Sequence, residues 1–452
     1  MPLTVGHDAP PLLERRAAEG RIASVTVEID PATDVAAAVL AARRPGDRWF
    51  CFEQPDRDGY AVCGLGAAAV VEASGPSRFA EVAEACRRLG SGAQYDRVDL
   101  PGAGPVFVGG FAFAASGGRS PEWESFAPAQ MVLPEVSFAR LGGRAVLTVT
   151  AVGDPASALA RLDGLGATAS MPLIDPDPAA RPRVASEAPP EHFEEAVRRA
   201  VERIGAGELE KIVLARIVRV HAGHPHDPGA LFGALREVFP SCYSFCVGTP
   251  EAAFVGASPE LLVRRDGARA QTVALAGTTR RSADPAVDDH LGEQLLTSAK
   301  NRAEQAIVAQ RIERTLEPVS VWVAVADRPT LVKVHNVQHL ATPIRAQLAE
   351  PLPVLELAGR LHPTPAVGGE PGEEAARLIP ALEGIDRGWY AGAVGWSDLE
   401  EDGELCVAIR CALVRGEVAH LFAGNGIVAD SDPADELAET EAKLQALLPL
   451  LA

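Results

Sequence analysis

The chain has 452 residues, of which 47% are hydrophobic and 23% are charged, and its formal net charge is −19. This acidic surplus argues against binding to nucleic acid or to an anionic membrane surface. No apolar run reaches membrane-spanning length, and residues 1–21 lack the apolar core of a signal peptide. We therefore expect a cytoplasmic protein that binds neither nucleic acid nor membrane.

The first part of the chain, to about residue 180, alternates short apolar runs with Ala-rich segments of helical spacing. We predict strands over residues 48–53, 106–108 and 145–150, a helix over residues 79–89, and a tight backbone turn at residues 109–111. A Pro- and Ala-rich linker over residues 175–190 follows. After it, a helix is predicted to begin near Pro190 and to end near Gly205.

The rest of the chain is dominated by strand-like runs that long helical segments interrupt. Lys211 is predicted to head a strand over residues 212–220. Further elements are predicted as strands over 253–264 and 270–276, a basic turn at 279–281, a helix over 288–317, three antiparallel strands over 389–396, 404–414 and 417–423, and a closing helix over 435–451. Hairpin-linked strands between long helices favour an α+β protein over an alternating parallel sheet.

Several ionisable residues lie inside apolar or glycine-rich runs of this second part. A lone charge in such a run is costly to bury unless it is paired, bound to a metal or shifted in pKa. Their number, and the mixture of acids and bases, indicate an active site for a small anionic substrate. The residues are Lys211, Glu260, Glu304, His339, Arg410, Glu436, Glu439 and Lys443.

The closing helix suggests a metal site. Glu436 and Glu439 are three residues apart, and Glu439 and Lys443 are four apart, so all three side chains project from one face. Glu304 lies in another predicted helix, and carboxylates from two helices can hold a magnesium ion. A solvated helix that carries Glu/Lys pairs is an alternative interpretation of the same spacing.

Lys211 and Glu260 suggest acid–base chemistry. A lysine is a poor base and a glutamate a poor acid until their surroundings move the pKa of each towards neutrality. Alternatively, both side chains lie at strand ends and face solvent, and His339 is a hydrogen-bonded core histidine. Backbone N–H groups that could approach an anionic ligand are offered by residues 274–278 and by the glycines near residue 425.

Together these motifs resemble the chorismate-utilising enzymes, and among them the isochorismate synthases. The resemblance is specific over residues 190–452 and looser at Gly109-Gly-Phe-Ala-Phe113 and Leu133-Pro-Glu135. It implies an α+β fold in which two large, mostly antiparallel sheets stack between outer helices as a four-layer α/β/β/α sandwich. It also implies a single chorismate-binding domain over residues 1–452, with a less typical part over residues 1–180 and a catalytic core over residues 190–452.

The resemblance also implies roles for particular side chains. Lys211 would be the base, Glu260 the acid, and His339 would contact or orient the substrate ring. Mg²⁺ would be bound by Glu304 and Glu439 with Glu436 nearby. The substrate carboxylates would contact Gly277, Thr278, Tyr390, Arg410, Gly424, Gly426 and Lys443. Gln305 departs from the histidine that relatives commonly carry after the metal-binding glutamate, so the surroundings of the metal would differ from theirs at this position.

The implied reaction is Mg²⁺-dependent and reversible. Water adds to C2 of chorismate, the C4 hydroxyl leaves, and the isochorismate formed serves menaquinone or siderophore biosynthesis. Anthranilate synthases carry glutamine at the position of Lys211, and aminodeoxychorismate synthases typically carry lysine at the position of Ala276. Salicylate synthase, which also eliminates pyruvate, is the main alternative, although residues 341–343 and Ile409 look like those of the isochorismate enzymes.

A catalytically silent relative that binds chorismate is a further alternative, from a different functional class. The matched acid and base speak against it, because a binding protein needs neither. We expect no glutaminase subunit, since water and not ammonia would be the nucleophile. A monomer or weak homodimer is expected.

Overall fold

The computed structural model describes residues 8–17, 21–166, 168–175, 181–335 and 337–451. The strands are β1 (Ile22–Ile29), β2 (Trp49–Gln54), β3 (Tyr60–Leu65), β4 (Ala69–Ala73), β5 (Val106–Phe111), β6 (Ala129–Leu133), β7 (Val136–Leu141), β8 (Arg144–Val152), β9 (Arg183–Ser186), β10 (Lys211–His221), β11 (Tyr243–Gly248), β12 (Ala253–Ser258), β13 (Leu261–Asp266), β14 (Arg269–Arg280), β15 (Ser320–Val325), β16 (Thr330–Lys333), β17 (Val337–Leu348), β18 (Gly369–Glu370), β19 (Ala393–Asp398), β20 (Gly403–Val407), β21 (Cys411–Arg415) and β22 (Val418–Ile427).

The helices are α1 (Ala9–Ala17), α2 (Val35–Ala41), α3 (Arg78–Gly90), α4 (Ala156–Leu162), α5 (Pro190–Gly205), α6 (Pro228–Val238), α7 (Pro285–Thr297), α8 (Ala299–Leu316), α9 (Val354–Leu361), α10 (Gly372–Glu383), α11 (Pro433–Leu444) and α12 (Leu448–Leu451). The predicted helix after the linker is confirmed as α5, and the strand headed by Lys211 as β10. Residues 176–180 of the predicted linker lie outside the described residues.

Within the described residues, the strands form two large sheets. The larger sheet has 12 strands in the order β1-β8-β7-β3-β2-β11-β12-β21-β22-β10-β18, with β9 paired to β10. The smaller sheet has 10 strands in the order β15-β17-β14-β13-β20-β19-β5-β6-β4, with β16 paired to β17. Neighbouring strands run antiparallel, as in the long pairs β10–β22 and β14–β17.

Helices cover the outer faces of both sheets. Helices α1, α2, α4, α5, α6, α10 and α11 pack on the larger sheet, and α3, α7, α8 and α9 pack on the smaller one. The main apolar core lies between the sheets, where Phe52 and Phe245 of the larger sheet join Phe107 and Leu405 of the smaller one. Burying each such side chain contributes roughly 1.5–3 kcal/mol. The predicted four-layer α/β/β/α sandwich is confirmed.

Two predictions of single strands are wrong, because the chain changes sheet inside each run. Residues 253–264 form β12 in the larger sheet and then β13 in the smaller sheet. Residues 404–414 form β20 in the smaller sheet and then β21 in the larger one. Both runs are mostly apolar, with few charged residues, so periodicity alone does not mark the break. Pro259, which has no N–H for a ladder, stands at the first crossing, and Arg410, with a left-handed φ of 52°, stands at the second.

Two predicted helices are also divided in the structure. Residues 288–317 were predicted as one helix, but α7 ends before Ser298. The Ser298 hydroxyl accepts a hydrogen bond from the Asn301 N–H and so caps the N-terminus of α8. The predicted closing helix over residues 435–451 is α11 followed by the short α12. Pro449 has no N–H to donate to the Gln445 carbonyl, so a continuous helix would lose a hydrogen bond at this point.

The tight turn predicted at residues 109–111 is wrong, because these residues belong to β5. A Cβ atom at Gly109 would collide with the Gln130 carbonyl, and one at Gly110 would lie 2.5 Å from the Ala393 carbonyl oxygen. The glycines therefore allow the close approach of neighbouring strands. Likewise, the first two residues of the turn predicted at 279–281 are the end of β14.

Both sheets contain strands from before and after the linker region. The larger sheet joins β1, β2, β3, β7 and β8 to β10, β11, β12, β21 and β22 across the β2–β11 pair. The assignment of the whole chain to one domain, with a less typical part and a catalytic core, stays a prediction. Among the helices of the described ranges, none is both long enough and apolar enough to span a membrane.

Candidate active site

The two segments at which the chain changes sheet lie side by side and each carries a charged side chain. The Val407 N–H donates to the Glu260 carbonyl (3.0 Å), and the Ala257 N–H donates to the Arg410 carbonyl (3.0 Å). Each crossing therefore fixes the backbone of the other. Neither Glu260 nor Arg410 forms a regular ladder pair at this point, which leaves their side chains free to face the space between the sheets.

These two side chains face a cleft between the sheets. The predicted site residues that line it are Glu260, Gly277, Thr278, Glu304, His339, Tyr390, Arg410, Gly424, Gly426, Glu436, Glu439 and Lys443. Lys211 is the one predicted site residue that is not in the lining, and its Nζ reaches the wall 2.8 Å from Glu304 Oε1. The structure thus brings together the whole predicted set, while the individual roles stay predictions.

Lys211 and Glu260 are both buried, at 1% and 3% exposure. Burial raises the pKa of Glu260 to about 8, although the nearby Lys211 ammonium acts in the opposite direction. At neutral pH Glu260 is therefore a protonated acid next to a buried lysine. The alternative interpretation, in which both side chains face solvent at strand ends, is wrong.

His339 is held in a defined neutral form. Its Nε2 lies 3.2 Å from Nη2 of Arg410, and its Nδ1 lies 3.1 Å from the Thr278 hydroxyl. A guanidinium can only donate, so Nε2 accepts and the proton resides on Nδ1. Burial, and then the charges of Arg410 and Lys443, hold the pKa of His339 well below its usual value. The imidazole therefore orients Arg410 and does not carry a charge of its own.

Glycines shape the wall where the predicted substrate contacts lie. A Cβ at Gly424 would lie 2.8 Å from the Tyr390 hydroxyl, and a Cβ at Gly426 would collide with the Glu304 carboxylate. Gly277 has φ +75° and occupies a bulge of β14, where its left-handed backbone favours glycine. Larger residues at these positions would close the cleft or displace its charged groups.

The three carboxylates predicted to bind magnesium line the cleft, and each is paired with a lysine. Glu304 pairs with Lys211, Glu439 with Lys443 (2.8 Å), and Glu436 with Lys300 (3.3 Å). Lys443 Nζ also donates to the Gly424 carbonyl (2.9 Å) and to Asn425 Oδ1 (2.7 Å). The alternative of a solvated Glu/Lys face is therefore wrong for Glu436, which is 4% exposed.

Carboxylate oxygens are the kind of donor that a hard divalent cation prefers. Glu436 has a raised pKa, because of burial first and the neighbouring Glu439 second, so two carboxylates repel each other across the cleft wall. In the part of the chain that is described, no group of three or more His, Cys, Asp or Glu side chains could hold a metal ion. Mg²⁺ usually takes only one or two carboxylates and keeps several waters, so a smaller set is sufficient.

Gln305 does not line the cleft. It is 3% exposed, and its Nε2 donates to the Ala274 carbonyl (2.9 Å) and to the Thr342 hydroxyl (2.9 Å). Gln305 therefore ties α8, which carries Glu304, to the strands β14 and β17. Its Oε1 is buried without a partner among the described residues.

Sequence analysis missed several residues that hold the site together. Glu383 and Arg387 form a buried ion pair; Glu383 accepts from the Ala215 N–H (2.7 Å), and Arg387 donates to the Val213 carbonyl (2.9 Å). They therefore fix the strand that Lys211 heads. Asn425, at 1% exposure, was also missed, although a polar residue between two glycines of an apolar strand is a signal that could have identified it.

The four-layer sandwich and its cleft define a class of enzyme. Its site contains a buried acid, a buried amine and several cationic groups that can bind an anionic substrate. A family model described as chorismate binding enzyme matches residues 9–452. The chain belongs to this family.

Similar proteins are named as isochorismate synthases. The isochorismate synthase MenF of Bacillus subtilis (strain 168) is 34% identical over 421 residues, which cover 91% of this chain and 89% of that protein. The salicylate biosynthesis isochorismate synthase of Pseudomonas aeruginosa is 37% identical over 408 residues, which cover 89% of this chain and 84% of that protein.

Solved structures show the same fold. A menaquinone-specific isochorismate synthase from Escherichia coli has a TM-score of 0.79 at 26% identity, covering 100% of this chain and 96% of that one. A putative 2,3-dihydroxybenzoate-specific isochorismate synthase from Bacillus anthracis has a TM-score of 0.74 at 31% identity, covering 92% of this chain and 99% of that one.

Proposed function

We propose that this chain is an isochorismate synthase, which converts chorismate reversibly into isochorismate. The observation that carries this proposal is the matched pair of Lys211 and Glu260, one a buried amine and the other an acid with a pKa of about 8. Relatives that bear the name isochorismate synthase over most of the chain support it. A protein that only binds chorismate would need no such pair.

In the proposed reaction, Lys211 in its neutral form removes a proton from a water molecule that attacks C2 of chorismate. The ring double bond shifts, and the C4–oxygen bond breaks. Glu260 gives its proton to the leaving hydroxyl, which departs as water. One water enters and one leaves, so the reaction is an isomerisation and can run in both directions.

Positive groups in the cleft fit the two carboxylates of chorismate. Arg410, which His339 orients through a 3.2 Å hydrogen bond, is proposed to bind the enolpyruvyl carboxylate. Lys443 and the backbone near Gly277 are proposed to contribute further contacts. These positive groups in the cleft explain how a chain with a net charge of −19 can bind a dianion.

Magnesium is proposed as the cofactor, held by Glu304 and Glu439 with Glu436 nearby. When bound, the ion would supply a positive charge for the ring carboxylate of the substrate. The oxygen donors of the three carboxylates and the repulsion between Glu436 and Glu439 support this choice.

Changing Glu304 or Glu439 to Gln should weaken magnesium binding at least tenfold, because each change removes a ligand charge and keeps the size of the side chain. Titration calorimetry of Mg²⁺ into each variant measures this directly. Glu441→Gln is the matched control, since Glu441 lies on the same helix as Glu439 with its side chain 61% exposed. If magnesium affinity is unchanged in both variants, the proposed ligands are wrong.

The proposed function is tested by the products formed from chorismate. With Mg²⁺ and without ammonia or glutamine, the purified chain should form isochorismate, and isochorismate should be converted back to chorismate. Chromatography at neutral pH separates the products. Salicylate with pyruvate as the main product would favour salicylate synthase, and no conversion at all would favour a silent relative.

A further inference from the structure

A continuous chain of hydrogen bonds runs along one wall of the cleft and is centred on Asn425. Lys300 Nζ lies 3.3 Å from Glu436 Oε1, and Asn425 Nδ2 donates to Glu436 Oε2 at 3.1 Å. On the other side, Lys443 Nζ donates to Asn425 Oδ1 at 2.7 Å and pairs with Glu439 at 2.8 Å. The buried amide thus connects a proposed metal-binding carboxylate with a proposed substrate-binding lysine.

The orientation of the Asn425 amide follows from the chemistry of its neighbours. An ammonium can only donate and an ionised carboxylate can only accept, so the amide oxygen must face Lys443 and the NH₂ group must face Glu436. The same NH₂ group donates to the Glu436 carbonyl at 2.6 Å. A side chain without both a donor and an acceptor cannot replace it.

Lys443 has all three of its N–H donors occupied. Two go to neutral acceptors, the Gly424 carbonyl and Asn425 Oδ1, and the third goes to the Glu439 carboxylate. If Lys443 binds a substrate carboxylate, one donor must be released. The interaction with Glu439 is the one that Lys443 can give up, because the proposed metal would bind that carboxylate. The two neutral acceptors can stay in place throughout.

We propose that Asn425 is a positioning residue, which holds Lys443 towards the cleft while the third N–H of the lysine passes from Glu439 to the substrate. This inference rests on the proposed function. It assigns to Asn425 an effect on chorismate affinity that acts through Lys443 and leaves the proton transfers by Lys211 and Glu260 intact.

The first test is Asn425→Ala, measured as kcat and KM for chorismate at saturating Mg²⁺. KM should rise about tenfold, the scale of one hydrogen bond to a charged group, while kcat stays within about threefold. Asn425→Ser keeps a hydroxyl that can donate and accept, so its KM should lie between those of the parent and Asn425→Ala. Thermal unfolding of each variant checks that the fold is kept. An unchanged KM in Asn425→Ala would overturn the proposal.

The second test separates positioning from a purely structural role. In a Lys443→Met background, Asn425→Ala should raise KM less than about twofold, because the group through which it acts is already absent. An equal rise in both backgrounds would overturn the proposal. If Asn425→Ala does not fold, the same comparison is made with Asn425→Ser.

Calorimetry of chorismate binding at saturating Mg²⁺, with every protein carrying Glu260→Gln to suppress turnover, gives a readout that does not depend on turnover. The affinity of Asn425→Ala should again fall about tenfold relative to the parent, and the loss should again vanish with Lys443→Met. Chorismate binding in this experiment, with no isochorismate formed by the parent in which Glu260 is intact, would contradict the proposed function alone. Parent-like binding by Asn425→Ala would contradict the role of Asn425 alone.

Discussion

Glu260→Gln is expected to lower kcat by roughly 10²–10⁴, the usual contribution of one positioned proton-transfer group. The carboxamide keeps the volume of the side chain but cannot give a proton to the leaving hydroxyl. Chorismate affinity should stay close to that of the parent, because binding is assigned to Arg410, Lys443 and the metal. Turnover by chromatography and affinity by calorimetry check the two expectations separately. Normal turnover by Glu260→Gln would show that Glu260 is not the acid.

The pH dependence provides a control for the same prediction. The pKa of Glu260 is about 8 in the protein without substrate, so the acid form is lost as the pH rises through this value, and kcat/KM of the parent should lose the contribution of this proton. In Glu260→Gln the small remaining rate should not show this loss. A parent kcat/KM with the same pH dependence as that of Glu260→Gln from pH 7 to pH 9.5 would contradict the assignment.

Stability should change with pH in the same direction. The pKa of Glu260 is raised in the folded state from 4.5 to about 8, so folding favours the protonated form. The stability linked to this proton is present at acid pH and is lost as the pH rises from about 4.5 to about 8. Urea unfolding of Glu260→Gln should show a weaker pH dependence than the parent over this range.

The layers of the fold were predictable because the motifs over residues 190–452 are specific to one family. The points at which the chain passes from one sheet to the other were not predictable. Residues 253–264 and 404–414 are mostly apolar runs, and a strand that continues in one sheet has the same local pattern as one that changes sheet. Which sheet a strand joins depends on its partners, such as β21 for β12 and β20 for β13. Those partners lie far away in the chain.

The members of the site were predictable as residue types, but their partners were not. Charges in apolar runs stand out in a sequence, and Glu439 with Lys443 follows directly from helical spacing. By contrast, the pair of Lys211 and Glu304 joins a strand of the larger sheet to a helix on the smaller one. The partners of Asn425 are recognisable only after β22 and α11 are placed together, since they lie on α11.

Lys211→Met is expected to lower kcat by roughly 10²–10⁴, because the variant fills the space of the lysine but cannot take a proton from water. The loss should be as large as that in Glu260→Gln, since the base and the acid act in the same reaction. The change also leaves the Glu304 carboxylate without its 2.8 Å partner. Magnesium affinity should therefore not fall, because the metal no longer competes with an ammonium for this carboxylate.

The two effects of removing Lys211 can be separated by chemical rescue. Lys211→Ala leaves a space beside Glu304 that a small amine can enter, whereas the Lys211→Met side chain fills it. If the lysine acts as a base, methylamine should raise the rate of isochorismate formation by Lys211→Ala and should leave Lys211→Met unchanged. The product must be isochorismate and not a methylamino compound, which shows that the amine acts on water and is not the nucleophile. A Lys211→Met enzyme within tenfold of the parent kcat would exclude Lys211 as the base and would place the proton acceptor elsewhere in the cleft.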